Sequence, residues 1–151
     1  VARKCPDLKF DLVGPFGTDE YAKYIFANTK NFSNITVHGA IKPDEVPGFY
    51  RKAKVMCCTS DAEGFPNSFL EAWSCGLPIV STFDPDNLIR DRKLGIVSSN
   101  VDELEAGIRL LLRNPLQLSE LSKTVRQYYL ENHTVDAVMT LFEKEFLSFS
   151  E

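Results

Sequence analysis

Two carboxylates, Glu63 and Glu71, bracket seven residues that carry no charge, in the stretch "EGFPNSFLE". Such a pair can do acid–base work, clamp a polyhydroxylated ligand, or simply ornament the start of a helix. Spacing decides against the first. If Pro66 lies in the first turn of a helix, Glu63 falls in the loop before it and Glu71 in its second turn. Helical rise and loop then put the carboxylates on the order of 10 Å apart, wider than the roughly 5 Å of a retaining glycosidase pair. The gap suits an elongated ligand with hydroxyls at both ends and negative charge between them, and a nucleotide sugar is such a molecule. Free N–H groups at a helix start attract phosphate oxygens, and carboxylates accept from vicinal hydroxyls. Two plainer readings stand beside this one. "SFLE" matches a capping box in which Ser68 caps the helix and Glu71 returns to its backbone, and Glu63 beside a glycine can be a solvated loop charge.

The elements that must position these residues alternate in type. "LKFDLVG" at 8–14 reads as a strand running into the turn 14–17, and "TDEYAKYIFANTKNF" as a helix with Thr18 as N-cap. "NITVHG" is a second strand, and "KPDEVPGFYRKA" a short helix with Pro43 and Asp44 in its first turn. "KVMCCTS" is a third strand leading into the two-glutamate motif, whose helix ends at Gly76. "PIVST" and "LGIVSS" are a fourth and fifth strand. From Val101 the pattern is helical only: "VDELEAGIRLLLRN", "PLQLSELSKTVRQYYLEN" and "TVDAVMTLFEKEFLSF". Leu104, Ile108, Leu111 and Leu112 make one apolar face; Val135, Val138, Met139, Leu141, Phe142 and Phe146 make another. Short strands separated by helices require parallel pairing through right-handed crossovers. The expected fold is therefore α/β, a doubly wound parallel sheet with C-terminal helices, and its ligand loops follow the strands: 14–17, 39–41, 60–68 and 82–87.

At 151 residues and 44% hydrophobic content the chain suits one domain over 1–151. Seventeen basic against 21 acidic residues, with no basic stripe, argue against nucleic acid as a partner. Cys5, Cys57, Cys58 and Cys75 have no metal or redox spacing and read as buried reduced thiols, which points to a reducing cytoplasm. No segment reaches the roughly 20 apolar residues needed to span a bilayer. Asp84 and Asp86 read as turn formers rather than metal ligands, and no metal or cofactor is expected. His38 reads as packing or a local hydrogen bond, His133 as a cap, and "GPFG" at 14–17 as a turn too short for a dinucleotide fingerprint.

The stretch "VMCCTSDAEGFPNSFLEAWSCGLPIVST" resembles the C-terminal, donor-binding domain of GT-B glycosyltransferases of family 4, the retaining group 1 enzymes, whose mark is a Glu-x7-Glu motif. The flanks "NITVHGAIKPDEVPGFYRKAKV" and "LGIVSSNVDELEAGIRLLLRN" are similar to the segments before and after that motif, so the resemblance covers nearly the whole chain. It implies that Glu63 orients the donor sugar through its hydroxyls and that Glu71 holds the ribose. Gly64, Phe65, Pro66, Asn67 and Ser68 would line the sugar and diphosphate, with Gly39, Ala40 and Ile41 near the base. Gly39 to Ile41 can equally be a plain strand-to-helix turn.

The family's opening strand, and its glycine-rich loop with an arginine and a lysine, have no match here. Arg3 and Lys4 align instead with a later helix end. The chain is thus expected to lack that first strand and loop, together with an N-terminal domain carrying the acceptor site for a glycan or lipid. A full enzyme of this kind can associate peripherally with the inner face of a membrane. The rival class is a non-catalytic nucleotide-sugar-binding or interaction module. A receiver-like signalling domain fits less well, because the acidic cluster after the first strand and the lysine after the last are absent from the sequence.

Overall fold

A computed structural model describes residues 1–15 and 17–148. Phe16, inside the expected turn at 14–17, and Phe149, at the expected end of the last helix, lie outside the described residues. The chain divides into two compact units, Val1–Lys52 and Ala53–Glu151.

In the first unit, strand β1 (Phe10–Val13) pairs in parallel with β2 (Ile35–Gly39) across helix α1 (Glu20–Thr29), and α2 (Val46–Lys52) follows. Asp19, rather than the expected Thr18, caps α1: its Oδ1 accepts from the Ala22 N–H at 2.7 Å, and its carboxylate adds a charge that the positive end of the helix favours. Helix α2 starts at Val46, three residues later than Pro43 suggests. Residues 43–45 form a turn closed by the Glu45 N–H donating to the Lys42 carbonyl at 3.0 Å. Asn34 ties the N-terminal turns to β2, its amide nitrogen lying 2.9–3.0 Å from the carbonyls of Ala2, Cys5 and Leu8. Cys5 is the one fully buried hydrophobic residue described in this unit.

The second unit holds a parallel sheet in the order β3 (Met56–Cys58), β4 (Ile79–Ser81), β5 (Gly95–Val97), with Met56 level with Ile79 and Ile79 level with Gly95. Strand β4 is buried along its length, as a β-branched run at the centre of a parallel sheet should be. Helix α3 (Asn67–Ser74) leads from β3 towards β4, a turn at Pro85–Asn87 and helix α4 (Leu88–Asp91) from β4 towards β5. Helices α5 (Val101–Arg113), α6 (Pro115–Asn132) and α7 (Val135–Ser148) complete the unit. The core comprises Phe69, Ala72, Trp73, Leu77, Ile79, Val80, Ile89, Leu94, Leu104, Ile108 and Val125.

Sequence and structure agree on parallel strands with flanking helices, here as one two-stranded and one three-stranded sheet. Asp84 and Asp86 do form a turn. Asp84 Oδ1 accepts from the Ile89 N–H at 2.8 Å, and Asp86 and Asn87 adopt φ of 50° and 60°. The short helix that follows has too few apolar residues to announce itself. Cys57, Cys58 and Cys75 are half-buried rather than buried, and none of the four cysteines forms a disulfide. Among the described residues no helix is long and apolar enough to cross a membrane.

Candidate functional site

Helix α3 begins one residue after Pro66, which takes the N-cap position in extended conformation and has no side-chain acceptor to offer. Ser68 lies inside the helix, so the capping-box reading of "SFLE" fails on position: Ser68 is its second residue and Glu71 its fifth. The Phe69 N–H is satisfied by the Pro66 carbonyl at 2.9 Å. The N–H groups of Asn67 and Ser68 precede any intrahelical acceptor, as the opening donors of a helix do. In sequence the motif thus sets the start of a helix, with its first N–H donors and positive end, between two exposed carboxylates.

Glu63 sits in the loop after β3, and its orientation is set locally. The Ser60 hydroxyl donates to Glu63 Oε1 at 2.8 Å. The Ser60 carbonyl in turn accepts from Thr82 Oγ1 at 2.9 Å, and the Thr82 N–H donates to the Cys58 carbonyl at 3.1 Å. Gly64 needs no glycine for backbone reasons, since its φ lies outside the left-handed region, and a Cβ added there would meet open space.

Phe65 is the motif's anchor. Half-exposed, its ring lies 6.0 Å from Trp73, at 70°, and 6.1 Å from His133. Trp73 is fully buried and is also flanked by Phe69 at 5.8 Å and Tyr128 at 5.6 Å, the latter edge-on at 89°. His133 closes the cluster: its ring stands 6.0 Å from Trp73 and 5.2 Å from Tyr128, and its Nε2 is 3.2 Å from the Tyr128 hydroxyl. Burial lowers the His133 pKa from its ordinary value. Burial also raises that of Tyr128, opposed by the charge of Arg92. His133 occupies the C-cap of α6, as a junction residue should, but its ring is packed among the aromatics rather than turned to solvent. At the far end of α3, Arg126 Nη1 donates to the Ser74 carbonyl. Gly76, at φ +69°, lies so close to α6 that an added Cβ would stand 3.0 Å from the Ser122 carbonyl.

Of the residues singled out from sequence, Glu63, Gly64, Phe65, Pro66, Asn67, Ser68 and Glu71 form one continuous loop and helix start in the second unit. Gly39, Ala40 and Ile41 belong to the first unit. There Gly39 ends β2 at φ +70°, and its carbonyl accepts from the Gly14 N–H at 2.9 Å. His38 has the local partners expected of it: Nε2 lies 2.6 Å from Asp11 Oδ1, and the ring packs edge-on against Phe49 at 4.6 Å. Ser60 and Thr82 open two of the expected ligand loops, 60–68 and 82–87, whereas Trp73, Tyr128 and His133 escaped the sequence reading as parts of the site. The single tryptophan inside the motif's helix was the available signal; the rest depend on contacts between distant segments.

Comparison with known proteins gives consistent results. The family model for glycosyl transferases group 1 matches residues 1–114. An uncharacterized glycosyltransferase of Haemophilus influenzae is 28% identical, over 85% of this chain and 38% of its own length. The alpha-galactosylglucosyldiacylglycerol synthase of Streptococcus pneumoniae is 26% identical, over 96% and 41%. A structure of S. aureus TarM, crystallised with fondaparinux, alpha-GlcNAc-glycerol and UDP, shares the fold at a TM-score of 0.75 and 20% identity, over 95% of this chain and 30% of that one. The chain spans about two fifths of the length of these curated relatives.

Proposed function

The chain belongs to the group 1 glycosyltransferases, and on that premise we propose that it is the donor-binding domain of an enzyme that transfers a sugar from a nucleoside-diphosphate sugar to an acceptor hydroxyl with retention. The observation that carries the reading is the uncapped start of α3, with the Asn67 and Ser68 N–H groups lying between Glu63 and Glu71. In this reading the diphosphate rests on that helix start, Glu71 holds the ribose and Glu63 orients the sugar. Gly64, which neither φ nor a neighbour requires to be glycine, leaves the backbone open to the ligand. Phe65 and Pro66 line the sugar, Pro66 through its carbonyl and ring, since it has no N–H.

As the glycosidic bond breaks, charge gathers on the leaving diphosphate. Fixed donors and a helix dipole stabilise that charge more than they stabilise the ground state, which is the part of binding that accelerates a reaction. Neither carboxylate needs to attack. Glu63 orients, and the diphosphate leaves onto backbone N–H groups rather than onto a metal. The acceptor, a glycan or the headgroup of a lipid, is met by a further domain, and the full enzyme works in the cytoplasm, where it can associate with the inner membrane face. The lipid-linked product in the name of the pneumococcal relative and the UDP bound to TarM support this assignment of chemistry.

Titration with uridine, guanosine and adenosine diphosphate sugars, followed by thermal unfolding, tests the reading. A ligand at one hundred times its dissociation constant adds about 2.7 kcal/mol, and Glu71→Ala abolishes the gain. No shift with any donor sinks the reading in favour of a non-catalytic interaction module. The 151-residue chain alone is expected to transfer no sugar.

A further inference from the structure

We infer that Ser60, held in place by Thr82, is a positioning residue that sets the direction in which Glu63 meets the donor sugar; this rests on the donor-binding reading above. Glu63 is exposed and lies in a loop without regular structure, where a free glutamate samples many rotamers. The carboxylate is nonetheless held, through a chain of hydrogen bonds that ends in the sheet. The Thr82 N–H donates to the Cys58 carbonyl at 3.1 Å, extending the β3–β4 ladder by one step. The Thr82 hydroxyl then donates to the Ser60 carbonyl at 2.9 Å, fixing the first turn of the loop to the end of β4. From that fixed residue the Ser60 hydroxyl donates to Glu63 Oε1 at 2.8 Å.

The consequence is chemical as well as geometric. A carboxylate has about four acceptor positions on two oxygens. Ser60 occupies one on Oε1, which leaves Oε2 and the remaining lone pair of Oε1 as acceptors for ligand hydroxyls. Thr82 makes no contact with Glu63 in this scheme and acts only through Ser60. Preorganisation of this kind spares the ligand the cost of ordering the glutamate on binding.

The test compares, by calorimetry on the 151-residue chain, the affinity for a nucleoside diphosphate with that for the matching nucleotide sugar; their ratio isolates the sugar's contribution. Ser60→Ala is expected to cut that ratio about three- to tenfold, with the affinity for the diphosphate alone and the melting temperature unchanged. Ser60→Thr, which keeps the hydroxyl, restores it. Thr82→Val, close in shape but without the donor, cuts it about two- to threefold. An unchanged ratio in Ser60→Ala while Glu63→Gln loses it overturns the inference, as does an equal loss of both affinities, which marks a general structural role. Absence of binding by the unsubstituted chain overturns the donor-binding reading and this inference with it, and is told apart by the wild-type titration alone.

Discussion

The two loops that carry the candidate site residues are built in opposite ways. The loop after β2, with Gly39, Ala40 and Ile41, belongs to a unit whose described residues include one fully buried hydrophobic, Cys5, and whose strands are mostly exposed. Hydrogen bonds hold it: the three carbonyls around Asn34, the Asp19 cap, the His38–Asp11 contact. The loop after β3, with Glu63 to Ser68, belongs to a unit with a continuous core, and Phe65 reaches back onto that core through Trp73 and His133. Hydrogen bonds exchanged against water contribute modestly, whereas buried apolar area contributes in proportion to its extent. The second loop should therefore be the stiffer platform and the first the more easily opened one.

The largest expected effect falls on the stiff region. Trp73→Ala removes the ring on which Phe65, Phe69, Tyr128 and His133 converge and should destabilise the second unit by about 3–5 kcal/mol. Denaturant unfolding of this variant checks it; a loss under about 1 kcal/mol breaks the contrast. Next, Asn34→Ala should weaken the first unit by about 1–3 kcal/mol by stranding three carbonyls. Native-state hydrogen exchange should show faster exchange in 10–13 and 35–39 and no change in 79–81. Phe65→Ala, smaller still, should cost about 1 kcal/mol of stability, yet reduce nucleotide-sugar affinity more than diphosphate affinity. Equal reduction would show that Phe65 is core and nothing more.

The smallest effect is a pH dependence. Burial holds the folded His133 pKa below its ordinary value of 6.5, so the unfolded chain binds the proton more readily. Stability from the neutral ring is complete above that value and is lost as pH falls through it towards the lowered folded pKa. Acidification from about pH 7.5 to about pH 5.5 should therefore lower the unfolding midpoint of the unsubstituted chain more than that of His133→Asn.

The second unit also contains its own counterexample. Helices α3 and α7 are both rich in apolar residues, yet α3 buries Phe69, Ala72 and Trp73 whereas α7 has no buried residue among those described. The apolar face of Val135, Val138, Met139, Leu141, Phe142 and Phe146 was legible from its spacing, and all six are exposed. Periodicity announces a face; only a neighbouring element makes it a core.

Local chemistry explains what the sequence by itself determined. Strand and helix alternation, the parallel pairing it forces, the stop at Gly76 and the run from Glu63 to Glu71 all follow from propensities and spacings within a few residues. Tertiary structure decided the rest. Whether Ser68 or Pro66 caps α3 turned on two residues of helix phase, and the capping box vanished with it. Ser60 could be tied to Thr82 only once β3 and β4 lay side by side, and Phe65 could rest on His133 only once the end of α6 had come back to the motif. Those contacts join residues 22 to 68 positions apart, and no pattern confined to a single turn or strand encodes them.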